Sequence, residues 1–164
     1  MSQENLNKTT TINRELVFVG LEAKDREEVL VKMGNNLEEQ GFVHDSYTEA
    51  IIKREKEFPT AIPTASMGIA IPHTDAEHVK KAGISIATLK EPVTFKNMGT
   101  GEDMDVEIIF MLAVKDPNEQ LNMLQRLMTI FQDESVLEKI KDAEKDEILD
   151  IVKSLLGDAV VVDI

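Results

Sequence analysis

Residues 106–114, VEIIFMLAV, are apolar at every position except Glu107, and several of them are β-branched. Such a run reads as a strand buried on both faces. A strand of that kind requires a sheet with helices packed on each side, so the remaining sequence has to supply those helices.

It does. Asp25-x-x-Glu28 has capping-box spacing, and Val29, Leu30, Met33 and Leu37 behind it form one apolar helical face closed by Gly41. Ser46-x-x-Glu49 repeats the signal and predicts a second helix to about Glu57. Asp116-Pro117 with Glu119 starts a third, in which Leu121, Leu124, Leu127, Met128 and Phe131 keep helical period. A shorter helix over 135–140 follows, and Ile148, Ile151, Val152, Leu155 and Leu156 mark a last one before Gly157.

Strands are predicted at 16–19 and 68–72, the second stopped by Pro72, and around Ile84, Ile86 and Thr88, ended by a turn at Glu91-Pro92. Residues 93–95 read as a brief edge piece and 96–105 as a loose acidic stretch. Pro59 and Pro63 make 58–67 a loop. Helices and strands interleave throughout, so the expected class is α/β: a single domain with a mixed β-sheet covered by helices. Its 164 residues fit one domain, bounded at 14–157, with a disordered lead-in over 1–13 and a C-terminal tail over 158–164. For the AVVVDI of that tail, an edge strand and disorder both stand open.

Composition narrows the function. The longest unbroken apolar run, Ile108 to Val114, is seven residues long, far short of the ~20 a membrane span needs. The polar opening MSQENLNKTTTIN lacks the apolar core of a secretion signal. Zero cysteines remove disulfides, thiolate chemistry and cysteine-ligated metals. With 18 Lys+Arg against 31 Asp+Glu, the net charge is 18 − 31 = −13, which argues against a nucleic-acid partner. That charge suits a basic protein partner, or solubility alone.

No phosphate loop, GxGxxG turn or GxSxG elbow occurs. The three histidines, His44, His73 and His78, lack zinc-site spacing, so no metal or cofactor is expected. His44 lies in a helix–helix turn and reads as a cap or surface residue; His78 sits among charged residues and reads as exposed. His73 stands apart. It follows a strand and Pro72, at the carboxyl end where α/β sheets place ligand chemistry. Position alone leaves two readings, a functional imidazole or one that bonds a nearby carbonyl. A neutral imidazole is a competent nucleophile toward phosphorus near neutral pH. Such a transfer needs a cation on the equatorial oxygens, and Arg54, ahead of the Pro-containing loop, is the candidate. Its alternative is an exposed helix arginine paired with Glu55 or Glu57.

Lys53-Arg54-Glu55, the Pro-containing loop and Gly68-Ile69-Ala70-Ile71-Pro72-His73 together resemble the enzyme IIA domain of the fructose/mannitol class of the sugar phosphotransferase system, over about residues 16–156. Val43-His44-Asp45, Glu57-Phe58-Pro59-Thr60 and the Asn118-Glu119-Gln120-Leu121 region are similar to the galactitol branch. The resemblance implies the fructose/mannitol-type IIA fold and a cytoplasmic location. It implies that His73 accepts phosphate from the phosphocarrier HPr and hands it to a cysteine of enzyme IIB, which serves the membrane component IIC. A regulatory IIA-like protein, whose phosphorylation controls a partner, is the alternative.

Two positions depart from the family pattern. Thr74 stands where a small residue usually follows the histidine, and its hydroxyl either donates to the phosphoryl group or caps a turn. Gln120 stands where mannitol-type relatives have a second histidine. It can donate a hydrogen bond but carries no charge, and an ordinary first-turn role is equally open.

Overall fold

The computed structural model describes residues 10–162. In chain order the elements are β1 (Thr10–Ile12), β2 (Val17–Leu21), α1 (Arg26–Glu39), α2 (Tyr47–Glu57), β3 (Ala61–Pro63), β4 (Gly68–Ala70), β5 (Gly83–Lys96), β6 (Asp103–Ala113), α3 (Pro117–Ile130), α4 (Glu134–Asp142), α5 (Lys145–Leu156) and β7 (Val160–Val162). The strands form one seven-stranded sheet in the order β3-β4-β6-β5-β1-β7, with β2 also paired to β5. The sheet is mixed: β4 runs parallel to β6, β5 antiparallel to β6, and β1 and β2 parallel to β5.

The strand that carries the 106–114 run is buried on both faces, as its sequence demands. Ile108, Phe110 and Leu112 of β6 point into a core completed by Met123, Leu127 and Phe131 of α3 and by residues of α4 and α5. Ile109, Met111 and Ala113 alternate to the opposite face, where Val29, Leu30, Met33 and Leu37 of α1 and Tyr47 and Ile51 of α2 cover them. Phe110 and Phe131 meet with ring centroids 5.0 Å apart, at a tilted 50°.

Helix starts follow the sequence in most cases. Asp25 Oδ1 accepts from the Glu28 N–H at 2.9 Å, and Glu28 Oε1 accepts in return from the Lys24 N–H at 2.8 Å. Asp116 caps α3 through the Asn118 N–H at 2.8 Å, ahead of Pro117. Ser46 departs from expectation: it occupies the cap position of α2 but makes no side-chain cap bond. Its hydroxyl instead pairs with His78 Nδ1 at 2.8 Å.

Three segments differ from the sequence reading, and a fourth, left open, takes one of its two alternatives. Thr10–Ile12, assigned to the disordered lead-in, forms a strand held parallel to both β5 and β7, and Asn13 after it accepts from the Leu16 N–H; residues 1–9 lie outside the described residues. Val160–Val162 of the tail is the edge strand of the two alternatives, while 163–164 lie outside the described residues. Within 58–67, Ala61–Pro63 pairs antiparallel with β4, and Pro63 is tolerated because β3 ends the sheet. Finally, β5 continues through Glu91-Pro92 to pair with β6 again from Val93. The ladder breaks register between Thr88 and Val93, so Pro92 withholds its N–H where none is paired.

Gly68 explains how closely β4 meets β6. A Cβ there would lie 2.0 Å from the Asp105 carbonyl oxygen, so no side chain fits.

Candidate functional site

Three hydrogen bonds fix the backbone on which the candidate nucleophile stands. Beyond the end of β4, the Ile71 N–H donates to Thr60 O at 3.3 Å, and Pro72 O accepts from the Leu112 N–H of β6 at 2.9 Å. The Leu112 carbonyl in turn accepts the buried Tyr47 hydroxyl of α2 at 2.7 Å. One peptide-bonded residue of the central sheet thus anchors both the His73 segment and the helix that carries Arg54. Burial pushes the Tyr47 phenol far above its usual range, so it stays a donor.

His73 is half-buried, with Nδ1 2.8 Å from the Ile71 carbonyl oxygen. A carbonyl oxygen only accepts, so Nδ1 carries the proton and Nε2 keeps its lone pair. Burial pushes the imidazole below its ordinary pKa, and the Arg54 charge acts in the same direction; the Ile71 bond and Asp75 oppose them. The ring is therefore neutral at neutral pH, with one free nitrogen. Of the two readings left open by position, the structure shows the bond to a nearby carbonyl, and that bond leaves Nε2 without a proton.

Arg54 lies in the last turn of α2. It pairs with neither Glu55 nor Glu57 but reaches Asp75, two residues past His73, with Nη1 3.6 Å from Oδ1. Its guanidinium lies over the exposed Phe58 ring, 4.8 Å from the centroid, and its buried Nε has no hydrogen-bond partner. Glu55 turns the other way, into the protein. Its two carboxylate oxygens accept from the Thr60 N–H and the Thr60 hydroxyl at 2.8 Å each, clamping the α2–β3 turn. Burial raises Glu55 to about 7 despite those bonds.

Thr74 is 5% exposed and makes no side-chain hydrogen bond among the described residues, so it is not the turn cap considered for it. Gln120 sits half-buried in the first turn of α3. It lines a cleft of about 210 Å³ with Asp75, Ala76, Pro117, Leu121 and Leu124. It thus faces the segment just past His73 without bonding to the imidazole. His44 is exposed, as expected. His78 is not: it is half-buried, bonded to Ser46, with Nε2 3.8 Å from Glu77.

Asp75 and Glu55 are the site residues that sequence reasoning missed. Tyr47, Ile51 and Glu55 are spaced four apart on α2, and that period placed position 55 on the buried face. For Asp75 the sequence holds no comparable signal. Among the described residues no cluster of His, Cys, Asp or Glu could hold a metal ion, and no helix is long and apolar enough to cross a membrane.

Taken together, a neutral imidazole with a free Nε2 feels the charge of a guanidinium that is held by one loose ion pair to Asp75. That arrangement suits nucleophilic capture of an electrophile with negatively charged oxygens.

Comparison with known proteins gives a consistent result. Residues 10–155 match the family model described as "Phosphoenolpyruvate-dependent sugar phosphotransferase system, EIIA 2". The chain is 36% identical over 121 residues to the galactitol-specific EIIA component of the phosphotransferase system of Escherichia coli K12, covering 74% of this chain and 81% of that protein. It is 38% identical over 116 residues to the transcriptional regulator ManR of Bacillus subtilis, covering 71% of this chain but 16% of the regulator. The crystal structure of IIA mannitol from Escherichia coli superposes with a TM-score of 0.72 at 28% identity, covering 86% of this chain and 98% of that one. The same fold occurs in the Escherichia coli complex of IIA mannitol with phosphorylated IIB mannitol, at a TM-score of 0.72 and 27% identity, covering 85% of this chain and 95% of that one.

Proposed function

The chain belongs to the EIIA type 2 family of the phosphoenolpyruvate-dependent sugar phosphotransferase system, and from that membership we propose that it relays a phosphoryl group from phospho-HPr, through His73, to a cysteine of its cognate enzyme IIB. The similarity to galactitol-specific EIIA supports galactitol as the polyol served through the membrane component IIC. The presence of IIB in the complex of the mannitol relative supports the acceptor. With these partners the protein works in the cytoplasm.

The observation that carries this reading is the His73 Nδ1–Ile71 bond of 2.8 Å, which leaves Nε2 as the nucleophile. In the first step the Nε2 lone pair attacks phosphorus. An N–P bond forms, the bond from phosphorus to HPr breaks, and HPr leaves with that electron pair. In the second step a cysteine thiolate of IIB attacks the same phosphorus. An S–P bond forms, the N–P bond breaks, and Nε2 recovers its pair. Charge dispersed on the equatorial oxygens is met by Arg54, whose planar fork offers parallel donors in a protein of net charge −13. The Thr74 hydroxyl and the Gln120 amide serve as further, neutral donors.

Labelling from phospho-HPr tests the reading. His73→Ala abolishes it, while His44→Ala and His78→Ala retain it; label persisting on the His73 variant refutes the assignment. In the same assay Arg54→Ala melts like the parent but transfers more slowly, by the ~10²–10³ typical of losing one preorganised donor. Arg54→Lys falls between.

A second reading, that phosphorylation of this chain controls a partner protein, draws on the similarity to ManR. Offering the phosphorylated protein to candidate IIB domains separates the two. Rapid transfer to one IIB supports the relay; retention of the label by every IIB offered supports regulation.

A further inference from the structure

The contact between Arg54 and Asp75 is looser than a closed ion pair. Its 3.6 Å separation exceeds the ~2.7–2.9 Å of a charge-assisted hydrogen bond. The two side chains are 36% and 69% exposed, so water reaches both. Asp75 also stands at the cap position of the one-turn 3-10 helix Ala76–His78, where an aspartate ordinarily bonds a backbone N–H. Here it makes no cap bond, and its carboxylate turns instead to the guanidinium. Arg54 is otherwise held by the Phe58 ring beneath it, and its buried Nε lacks a partner. Asp75 is therefore the one acidic group paired with Arg54 among the described residues, and it pairs weakly.

We propose that Asp75 is a displaceable counter-ion: it holds the Arg54 guanidinium at the site while His73 is free, and surrenders it to the phosphoryl group when His73 is charged. This rests on the relay reading above. A phosphoryl group brings about two negative charges, and it competes with the Asp75 carboxylate for the same guanidinium. The competition has a consequence for a relay. An arginine with no resident anion would bind the phosphoryl group more tightly and bias the equilibrium toward the phosphohistidine. Asp75 lowers that affinity and reclaims Arg54 as the group leaves, so the charged and free forms stay closer in free energy. Asp75 is a positioning residue, acting on the phosphoryl group through Arg54.

The test measures an equilibrium rather than a rate. The protein is mixed with HPr and phospho-HPr at known ratio, and the phosphorylated fraction is read after exchange is complete, with folding checked by thermal melting. Asp75→Asn keeps the shape and removes the charge. It raises the ratio of phosphorylated to free protein roughly two- to fivefold, the scale of one exposed ion pair. Asp75→Glu, which restores the charge, returns the ratio toward the parent value. A parent that labels normally while Asp75→Asn shows the same or a lower ratio overturns the role of Asp75 and leaves the relay standing. A parent that takes no label from phospho-HPr overturns the relay reading, and this role with it.

Discussion

Glu55 and Arg54 are neighbours in sequence and opposites in environment. Helical geometry sends Arg54 toward the surface, where it meets Asp75, and Glu55 into the core, where Thr60 receives it. The sequence shows an Arg-Glu pair and invites a salt bridge between them; the structure pairs Arg54 with Asp75, and the turn beyond β4 that brings Asp75 back has no local signature. The buried carboxyl has a measurable consequence. Its pKa is raised from 4.5 to about 7 by burial, so the folded state holds a proton that the unfolded state has released. The contribution to stability is then full below about pH 4.5 and is lost as pH rises through 7. Melting temperature followed from pH 5 to 8 in the parent and in Glu55→Gln checks this: the parent loses stability relative to the variant across the interval, and parallel curves contradict it.

At the scale of elements, the legible parts were those with strong local period or caps. The α1 face and the β6 run could be read because burial on one face, or on both, writes itself into residue spacing. Helices α3 and α5 were legible in part, since Leu121, Met128 and Leu155 of their apolar patterns are exposed while Met123 is buried. Most of the shortest strands could not be read. Three-residue strands such as β1, β3 and β7 have too few positions for alternation, and β3 ends in a proline that argues against any strand. The break in β5 at Glu91-Pro92 looks like a turn because the bulge obeys the same chemistry. The position of the site depends on one such short strand. β4 lies against β6 only because Gly68 has no side chain: a Cβ would meet Asp105 O at 2.0 Å and Met104 Cε at 2.8 Å. Gly68→Ala should therefore cost about 1–3 kcal/mol, seen as a lower melting temperature. It should also slow phosphoryl uptake, because His73 follows on the displaced segment. An unchanged melting temperature would show that the two strands can separate freely.

For the whole molecule, the sheet covered on both faces followed from one nine-residue segment, and the candidate site lies where a parallel strand of that sheet ends. What the sequence did not carry was the relation between distant parts. Leu112 ties the His73 segment to the Tyr47 helix, and nothing at either end announces it. The proposed relay depends on a single atom, Nε2 of His73, left unprotonated by the bond at Nδ1. Nitrogen-15 and phosphorus-31 NMR of the protein after exchange with phospho-HPr reads that atom directly. The account predicts one phosphoryl group, on Nε2 of His73, with the Nδ1 proton retained. A phosphoryl group on Nδ1, or on His44 or His78, would contradict it.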